Sequence, residues 1–127
     1  HIGQDDAAVS EARRILGPDK IIGVSAHTVD EARAAEQAGA DYLGVGAVFS
    51  TSTKLDADIV TLQTLRGIRA AVSIPIVAIG GINVENMLQL KGSGIDGAAV
   101  VSALFAQQDV YAAAKRLYAT SKELVFG

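Results

Sequence analysis

The chain has 127 residues, of which 50% are hydrophobic and 20% charged, with a formal net charge of −3. This length predicts one domain with a packed core, and the absence of cysteine excludes disulfides, thiolate catalysis and cysteine-based zinc sites. The lack of a basic tract argues against nucleic acid as a partner, and no apolar run reaches the ~18 residues of a membrane span. We see no signal peptide and therefore expect a soluble, cytoplasmic protein.

The apolar pattern alternates between short strands and amphipathic helices. In chain order, the predicted elements are helix 5–16, strand 20–24, helix 28–38, strand 41–46, helix 61–72, strand 76–79, helix 83–92 (or to 94), strand 97–101 and helix 110–124. Asp5 or Asp6 is expected to cap the first helix, and Gly17 to end it. Thr28 and Glu31 form a capping box at the second helix. The loop 47–58 is long for such an architecture, which is typical of functional loops.

The predicted strands are nearly continuous apolar runs, which indicates a parallel sheet buried on both faces. Alternating strands and helices leave two architectures open, a doubly wound open sheet and a (β/α)8 barrel. A whole barrel needs ~200 residues or more, so this chain would supply about half of one. It opens with His1-Ile2-Gly3 rather than Met, as if cut near the end of a strand. We therefore expect a fragment, or a chain whose N-terminal part is missing.

Both architectures place their sites at the carboxyl ends of the strands. The segments after the predicted strands are rich in polar side chains and glycine: residues 4–6, 25–28, 51–54, 80–81 and 101–102. Gly80-Gly81 and Ser102 follow successive strands, so their loops should be neighbours. Glycine lets backbone N–H groups approach a phosphate closely. The alternative interpretation is a tight turn at the glycines and a helix cap at Ser102.

Three hydroxyls and a lysine follow the second strand as Thr51-Ser52-Thr53-Lys54. In an extended segment Thr51 and Thr53 point the same way, and Lys54 adds a point charge suited to phosphate. The alternative is a solvated, mobile loop.

Two further segments carry titratable groups. The Asp5-Asp6 pair could supply oxygen ligands to magnesium bridged to phosphates, or could simply cap a helix. His27 could act as a general acid or base, or could be a partly buried histidine at a helix start. The residues alone leave these alternatives open.

Many motifs, in order over essentially the whole chain, resemble thiamine-phosphate synthase. The matching segments are 1–6 (HIGQDD), 23–28 (GVSAHT), 39–42 (GADY), 44–49 (GVGAVF), 51–54 (TSTK), 78–82 (AIGGI) and 100–102 (VVS). The resemblance implies a (β/α)8 TIM barrel, of which this chain would supply roughly the C-terminal half, strands 5–8 with their helices. Residues 1–127 would then be a single domain without the N-terminal half.

The resemblance also implies an activity. Members of this family join 4-amino-2-methyl-5-hydroxymethylpyrimidine diphosphate to hydroxyethylthiazole phosphate and release pyrophosphate. By resemblance, Asp6 is a ligand of the Mg²⁺ cofactor, and Ser25 and Lys54 contact the pyrimidine diphosphate and serve catalysis. The thiazole phosphate would be bound by Thr51, Ser52, Thr53, Gly81, Val101 and Ser102. Pyrophosphate leaves first, and the thiazole nitrogen attacks the resulting pyrimidine-methyl cation.

The chain departs from the family pattern in two respects. Ala47 and Ser50 stand where the family usually has proline. The family's Gln-x-Arg-x-Lys motif and its Asn-Asp pair, which carries the other magnesium ligand, are absent. We therefore expect activity only from the complete protein, and either self-association or pairing with the missing N-terminal half.

Two alternatives remain from the sequence. One is a thiazole tautomerase of the same fold, with His27 transferring the proton. The other is an inactive fragment that binds phosphate or another protein. Thr51-Ser52-Thr53-Lys54 and Asp6 favour the synthase, because an isomerase has no pyrophosphate to expel.

Overall fold

The structure, a computed structural model, describes residues 1–3, 7–51 and 58–127. The elements in these ranges are α1 (Val9–Leu16), β1 (Gly23–Ala26), α2 (Val29–Gln37), β2 (Tyr42–Val45), α3 (Leu62–Ala71), β3 (Ile76–Ile79), a 3₁₀ helix (Met87–Leu90), β4 (Gly97–Ala99), α4 (Ser102–Phe105) and α5 (Val110–Phe126). In this part of the chain, no helix combines the length and the apolarity needed to cross a membrane.

The described strands form one parallel sheet of four in the order β1-β2-β3-β4. Ile2 adds a parallel bridge to Val24 on the outer side of β1, through bonds from Ile2 N to Gly23 O (2.8 Å) and from Ser25 N to Ile2 O (2.9 Å). The chain is thus an α/β protein with a parallel sheet, as the strand–helix alternation predicted. All four strands send their carboxyl ends to one edge.

Side-chain caps fix where three of the helices begin. The Thr28 hydroxyl accepts from Glu31 N at 3.1 Å, and Glu31 reaches back to accept from His27 N at 3.0 Å. This confirms the capping box expected at α2, in which two N–H groups near the helix start gain acceptors. Thr61 caps α3 and Asp109 caps α5 in the same way, each accepting from the N–H three residues on.

The core lies on the helix side of the sheet. Strand residues Leu43, Val45 and Ile76 are fully buried there, together with Leu65 and Ile68 of α3. Burial of a side chain of this size stabilises the fold by about 1.5–3 kcal/mol.

The opposite face of the sheet is less covered. Ser25, Tyr42, Gly44 and Val77 are only half-buried, and Ile79 is 43% exposed. The expectation that both faces would be buried is therefore wrong for the described residues. An apolar run indicates that a strand can be buried on both faces, whereas its actual burial depends on which elements cover each face.

Two matching ion pairs fix the amino ends of the strands. Asp41 accepts from Arg13 at 2.8 Å and from Ile22 N at 2.7 Å, just before β2. Asp96 repeats this before β4, where it accepts from Arg69 at 3.0 Å and from Ile76 N at 2.9 Å. Each carboxylate thus links a backbone N–H near the start of the neighbouring strand to an arginine on a helix. The Arg13 guanidinium, followed by the N–H of Ile22, lowers the pKa of Asp41 below its ordinary value.

Several predicted boundaries differ from the structure, among them the end of β4, which was predicted at Val101 and lies at Ala99. Helix α1 begins at Val9 with Ala8 at the N-cap, so capping by Asp5 or Asp6 is wrong. Strand β1 begins at Gly23 rather than Lys20, and Ile21 is 76% exposed.

The helix predicted from Asn83 is replaced by a turn and the short 3₁₀ helix. The side chains of Asn83 and Asn86 bond each other's backbone N–H groups there, an alternative to helical bonds that asparagine readily offers.

Candidate functional site

Three adjoining clefts open at the carboxyl ends of the strands. The Ser25 cleft, about 280 Å³, is lined by Ser25, His27, Gly44, Gly46, Ala47, Thr51, Ile79 and Gly80. The Ser102 cleft, about 300 Å³, is lined by Thr51, Ile79, Gly80, Gly81, Ile82, Ala99, Val100, Val101 and Ser102. The outer cleft, about 460 Å³, shares Thr51, Gly81, Ile82 and Ser102 with the Ser102 cleft. Thr51 lines all three, so they form one continuous region.

The structure therefore brings together five residues that the sequence predicted for binding. Thr51, Gly81, Val101 and Ser102 line the Ser102 cleft, and Ser25 lies across Thr51 in the adjoining cleft. Val101 is 67% exposed and precedes the short helix α4, which begins at Ser102. The other predicted residues, Asp6, Ser52, Thr53 and Lys54, lie outside the described residues.

Glycines allow the loops after β2 and β3 to lie against each other. Backbone bonds join Val48 N to Ile79 O (3.0 Å) and Phe49 N to Gly80 O (3.1 Å). A Cβ on Gly46 would overlap the carbonyl of Ile79, and one on Gly80 would lie 2.5 Å from Ala47 Cα. A side chain at either glycine would separate the two loops.

Gly81 is constrained by both its conformation and its surroundings. Its φ is +67°, in the left-handed region that side chains disfavour. A Cβ there would lie 2.8 Å from Ser50 O and 2.9 Å from Phe49 O. Glycine at this position thus lets the segment that leads into Thr51 approach the end of β3.

Ser25 belongs to a polar group on the less covered face of the sheet. Its Oγ lies 2.9 Å from His1 Nε2, and His1 Nδ1 lies 3.0 Å from the Tyr42 hydroxyl. The His1 and Tyr42 rings are also in contact, with centroids 5.6 Å apart. Gly44 leaves room for the imidazole, since a Cβ there would lie 3.0 Å from His1 Cε1. The His1 ring therefore restricts where the Ser25 hydroxyl can point.

His27 lines the Ser25 cleft with its side chain 45% exposed. Its Nδ1 lies 3.4 Å from Glu31 Oε2, the oxygen that also accepts from the His27 backbone. The imidazole can thus reach the cleft while its backbone is tied to the start of α2.

The described residues contain no group of three or more His, Cys, Asp or Glu side chains that could hold a metal ion. The predicted magnesium ligand Asp6 lies outside them, so a magnesium site has no geometric support from the described part of the chain.

Two residues at this edge were not predicted from the sequence. His1 was not singled out as a partner of Ser25, because the two are 24 positions apart and meet only through the Ile2 bridge. Asn86 was also missed, although its Nδ2 donates to Gly81 O at 2.9 Å. The Asn83-x-x-Asn86 spacing was the available signal, since asparagines three apart can close a turn through their side chains.

The fold and these clefts define an α/β protein that presents strand-end loops of glycine and hydroxyl residues along one edge of a parallel sheet. Residues 1–104 match the family model described as thiamine monophosphate synthase, and the chain belongs to that family.

Curated relatives agree with this assignment. The chain is 55% identical over 117 residues to the thiamine-phosphate synthase of Ruminiclostridium cellulolyticum and 57% identical over 118 residues to that of Moorella thermoacetica. Each match covers 92% of this chain and 56% of the relative, so the chain spans little more than half their length.

A solved structure also resembles the chain closely. The thiamine phosphate pyrophosphorylase from Pyrococcus furiosus superposes with a TM-score of 0.88 at 42% identity. The match covers 99% of this chain and 59% of that one.

Proposed function

We propose that the chain takes part in thiamine phosphate synthesis, joining 4-amino-2-methyl-5-hydroxymethylpyrimidine diphosphate to hydroxyethylthiazole phosphate with release of pyrophosphate. The observation that carries this proposal is the meeting of Thr51, Gly81, Val101 and Ser102 in one cleft at the strand ends. Their hydroxyls and the backbone around Gly81 suit a phosphate group, and the chain belongs to a family described by this synthase activity.

In this proposal the thiazole phosphate occupies the Ser102 cleft. Thr51 and Ser102, which both line this cleft, would donate hydroxyl hydrogen bonds, while Gly81 and Val101 would contribute backbone at the strand ends. Ser52 and Thr53 would extend the same hydroxyl-rich loop.

The pyrimidine diphosphate would occupy the adjoining Ser25 cleft, with Ser25 and Lys54 at its phosphates. The bond between the pyrimidine methylene carbon and the diphosphate oxygen breaks, and its electron pair leaves with pyrophosphate. The thiazole nitrogen then donates its lone pair to the methylene carbon. The protein's task is to stabilise the charge on the leaving group, and fixed donors such as Lys54 and Ser25 are suited to it.

Asp6 is the proposed magnesium ligand of this chain, and its carboxylate would hold the ion together with substrate phosphate oxygens. Bound there, the ion would neutralise part of the diphosphate charge.

We further propose that the sheet is half of a closed (β/α)8 barrel and supplies its strands 5–8. The partial cover of Tyr42, Val77 and Ile79 supports this, because these side chains would face the inside of a barrel. A closed barrel would be completed by an N-terminal half or by self-association. Activity is proposed for the completed barrel, and the 127-residue chain alone is expected to turn over very weakly or not at all.

A pyrophosphate-release assay with both substrates tests this proposal. The chain should be assayed alone and joined to the part of the Moorella thermoacetica relative that it does not match. Release by the joined protein should require both substrates, and Lys54→Ala should lower kcat by about 100-fold, as expected for a lost charge-stabilising donor.

Variants of the joined protein also distinguish the synthase function from the tautomerase function. His27→Ala should leave pyrophosphate release within about twofold, since a histidine proton transfer has no part in the proposed reaction. Loss of activity in His27→Ala with normal activity in Lys54→Ala would refute the synthase assignment. Ordinary turnover by the chain alone would refute the requirement for a completed barrel.

A further inference from the structure

A turn closed by two asparagines follows Gly81. Asn86 Oδ1 accepts from Asn83 N at 2.8 Å, and Asn83 Oδ1 accepts from Asn86 N at 2.9 Å. The remaining polar atom of the Asn86 side chain, Nδ2, donates to Gly81 O at 2.9 Å. The 3₁₀ helix continues from this turn and buries Met87 in the core. The Gly81 carbonyl is thus tied to an element anchored in the core.

This bond fixes the orientation of one peptide group in the clefts. In a trans peptide the C=O and the following N–H point in opposite directions. Because Asn86 holds the Gly81 carbonyl, the N–H of Ile82 points away from Asn86. Gly81 and Ile82 both line the Ser102 cleft and the outer cleft, whereas Asn86 lines neither. The buried Ile82 side chain holds the other side of the same peptide.

We propose that Asn86 is a positioning residue of the phosphate site. It holds the Gly81–Ile82 peptide so that the Ile82 N–H donates to a phosphate oxygen in the Ser102 cleft, without touching the phosphate itself. This inference rests on the proposed function, since it names a further donor for the phosphate of that substrate.

The variant Asn86→Asp removes the positioning bond selectively. Aspartate keeps the oxygen that accepts from Asn83 N but replaces the donor that holds Gly81 O. Gln89→Glu is a control for the net charge of the chain, because it places the same added carboxylate at an exposed position three residues further on. Asp109→Ala is a control for stability, because it removes the single side-chain cap of α5.

The readout is the dissociation constant of hydroxyethylthiazole phosphate for the full 127-residue chain, measured by calorimetry. Asn86→Asp should weaken binding about tenfold, the effect of losing one hydrogen bond to a charged group. Both control variants should stay within about twofold of the unmutated chain. Equal binding by Asn86→Asp and Gln89→Glu would overturn the inference while leaving the proposed function intact.

A second measurement needs no variant and so does not depend on folding. Titration of the unmutated chain with inorganic phosphate, followed by amide NMR, should move the Ile82 N–H downfield as it gains an anionic acceptor. If other amides of the Ser102 cleft shift on binding but Ile82 does not, Asn86 has no such role. If the chain binds neither phosphate nor the thiazole phosphate, the proposed phosphate site is refuted and this inference with it.

Discussion

Replacing Gly81 with alanine tests whether the close approach of two loops builds the proposed phosphate site. The alanine would have to adopt φ +67°, which costs a non-glycine residue about 1–2 kcal/mol. Its Cβ would also lie 2.8 Å from Ser50 O and 3.0 Å from Phe49 Cβ, so the segment before Thr51 must shift. Overpacking of this kind costs about 1–3 kcal/mol. We therefore expect Gly81→Ala to lose about 2–5 kcal/mol of stability.

The chain offers a matched control in Gly39. Its φ is +100°, at least as unfavourable for alanine, yet a Cβ there would meet nothing within 4 Å. Gly39→Ala should therefore lose only the conformational part, about 1–2 kcal/mol. Urea unfolding of both variants measures these losses, and the difference between them isolates the contact with Ser50 and Phe49.

Ligand binding should distinguish the Gly81→Ala and Gly39→Ala variants further. Gly81→Ala should weaken binding of hydroxyethylthiazole phosphate, because the displaced loop carries Thr51 away from Ser102. Gly39→Ala should bind as the unmutated chain does. If the two variants lose equal stability and bind the phosphate equally well, then close packing of the loops against Gly81 does not build the site.

Two further predictions concern stability. Glu36 accepts from Ser73 N at 2.7 Å and from Ile74 N at 3.2 Å, and these bonds, led by the Ser73 N–H, lower its pKa below the ordinary 4.5. A lowered pKa stabilises the fold above about pH 4.5, and this contribution is lost as the pH falls through the folded-state pKa. Glu36→Gln should therefore lose less stability than the unmutated chain between about pH 6 and pH 3, and parallel pH curves from urea unfolding would contradict this. Leu65 is fully buried, so Leu65→Ala should cost about 2–5 kcal/mol in urea unfolding, and a loss no larger than that of the half-buried Leu62→Ala would contradict the assigned core.

Local signals in the sequence predicted much of the fold. Strand β3 was predicted at Ile76–Ile79 because Pro75 and Gly80 delimit a short apolar run, and α3 was predicted within one residue at each end. The capping pair Thr28 and Glu31 fixed the start of α2. These features depend on residues close in sequence, so the pattern alone was sufficient.

Features that depend on distant contacts could not be predicted in this way. Nothing in residues 20–22 indicates that Ile21 would be exposed while Ile22 is buried. The 3₁₀ helix is a different case, because its cause is local: the Asn86 side chain bonds Asn83 and Gly81 instead of leaving the backbone to form regular turns, and the Asn83-x-x-Asn86 spacing was a signal for it.

The candidate site likewise contains one part that the sequence predicted and one part that it could not predict. Loop order predicted that Gly81 and Ser102 would be neighbours, because parallel strands deliver their following loops to one edge. It could not predict His1, whose partners Ser25 and Tyr42 are 24 and 41 positions away. Fold topology thus brings residue types together, whereas the orientation of each side chain comes from contacts that the chain forms only after folding.

The two ends of the sheet carry different kinds of groups. Substitutions at one end should therefore affect stability, and substitutions at the other should affect ligand binding. At the amino ends, Asp41 and Asp96 each satisfy a backbone N–H and an arginine, so their bonding capacity is used within the fold. At the carboxyl ends, glycines replace side chains, and the backbone around Gly81 lies open to a cleft. Changes to the aspartates should therefore alter unfolding without altering phosphate affinity, since they act through the strand ends opposite the clefts. In the described part of the chain, the carboxyl edge lines a cleft with the backbone around Gly81 and the hydroxyls of Thr51 and Ser102, and this is the edge where we propose the ligand site.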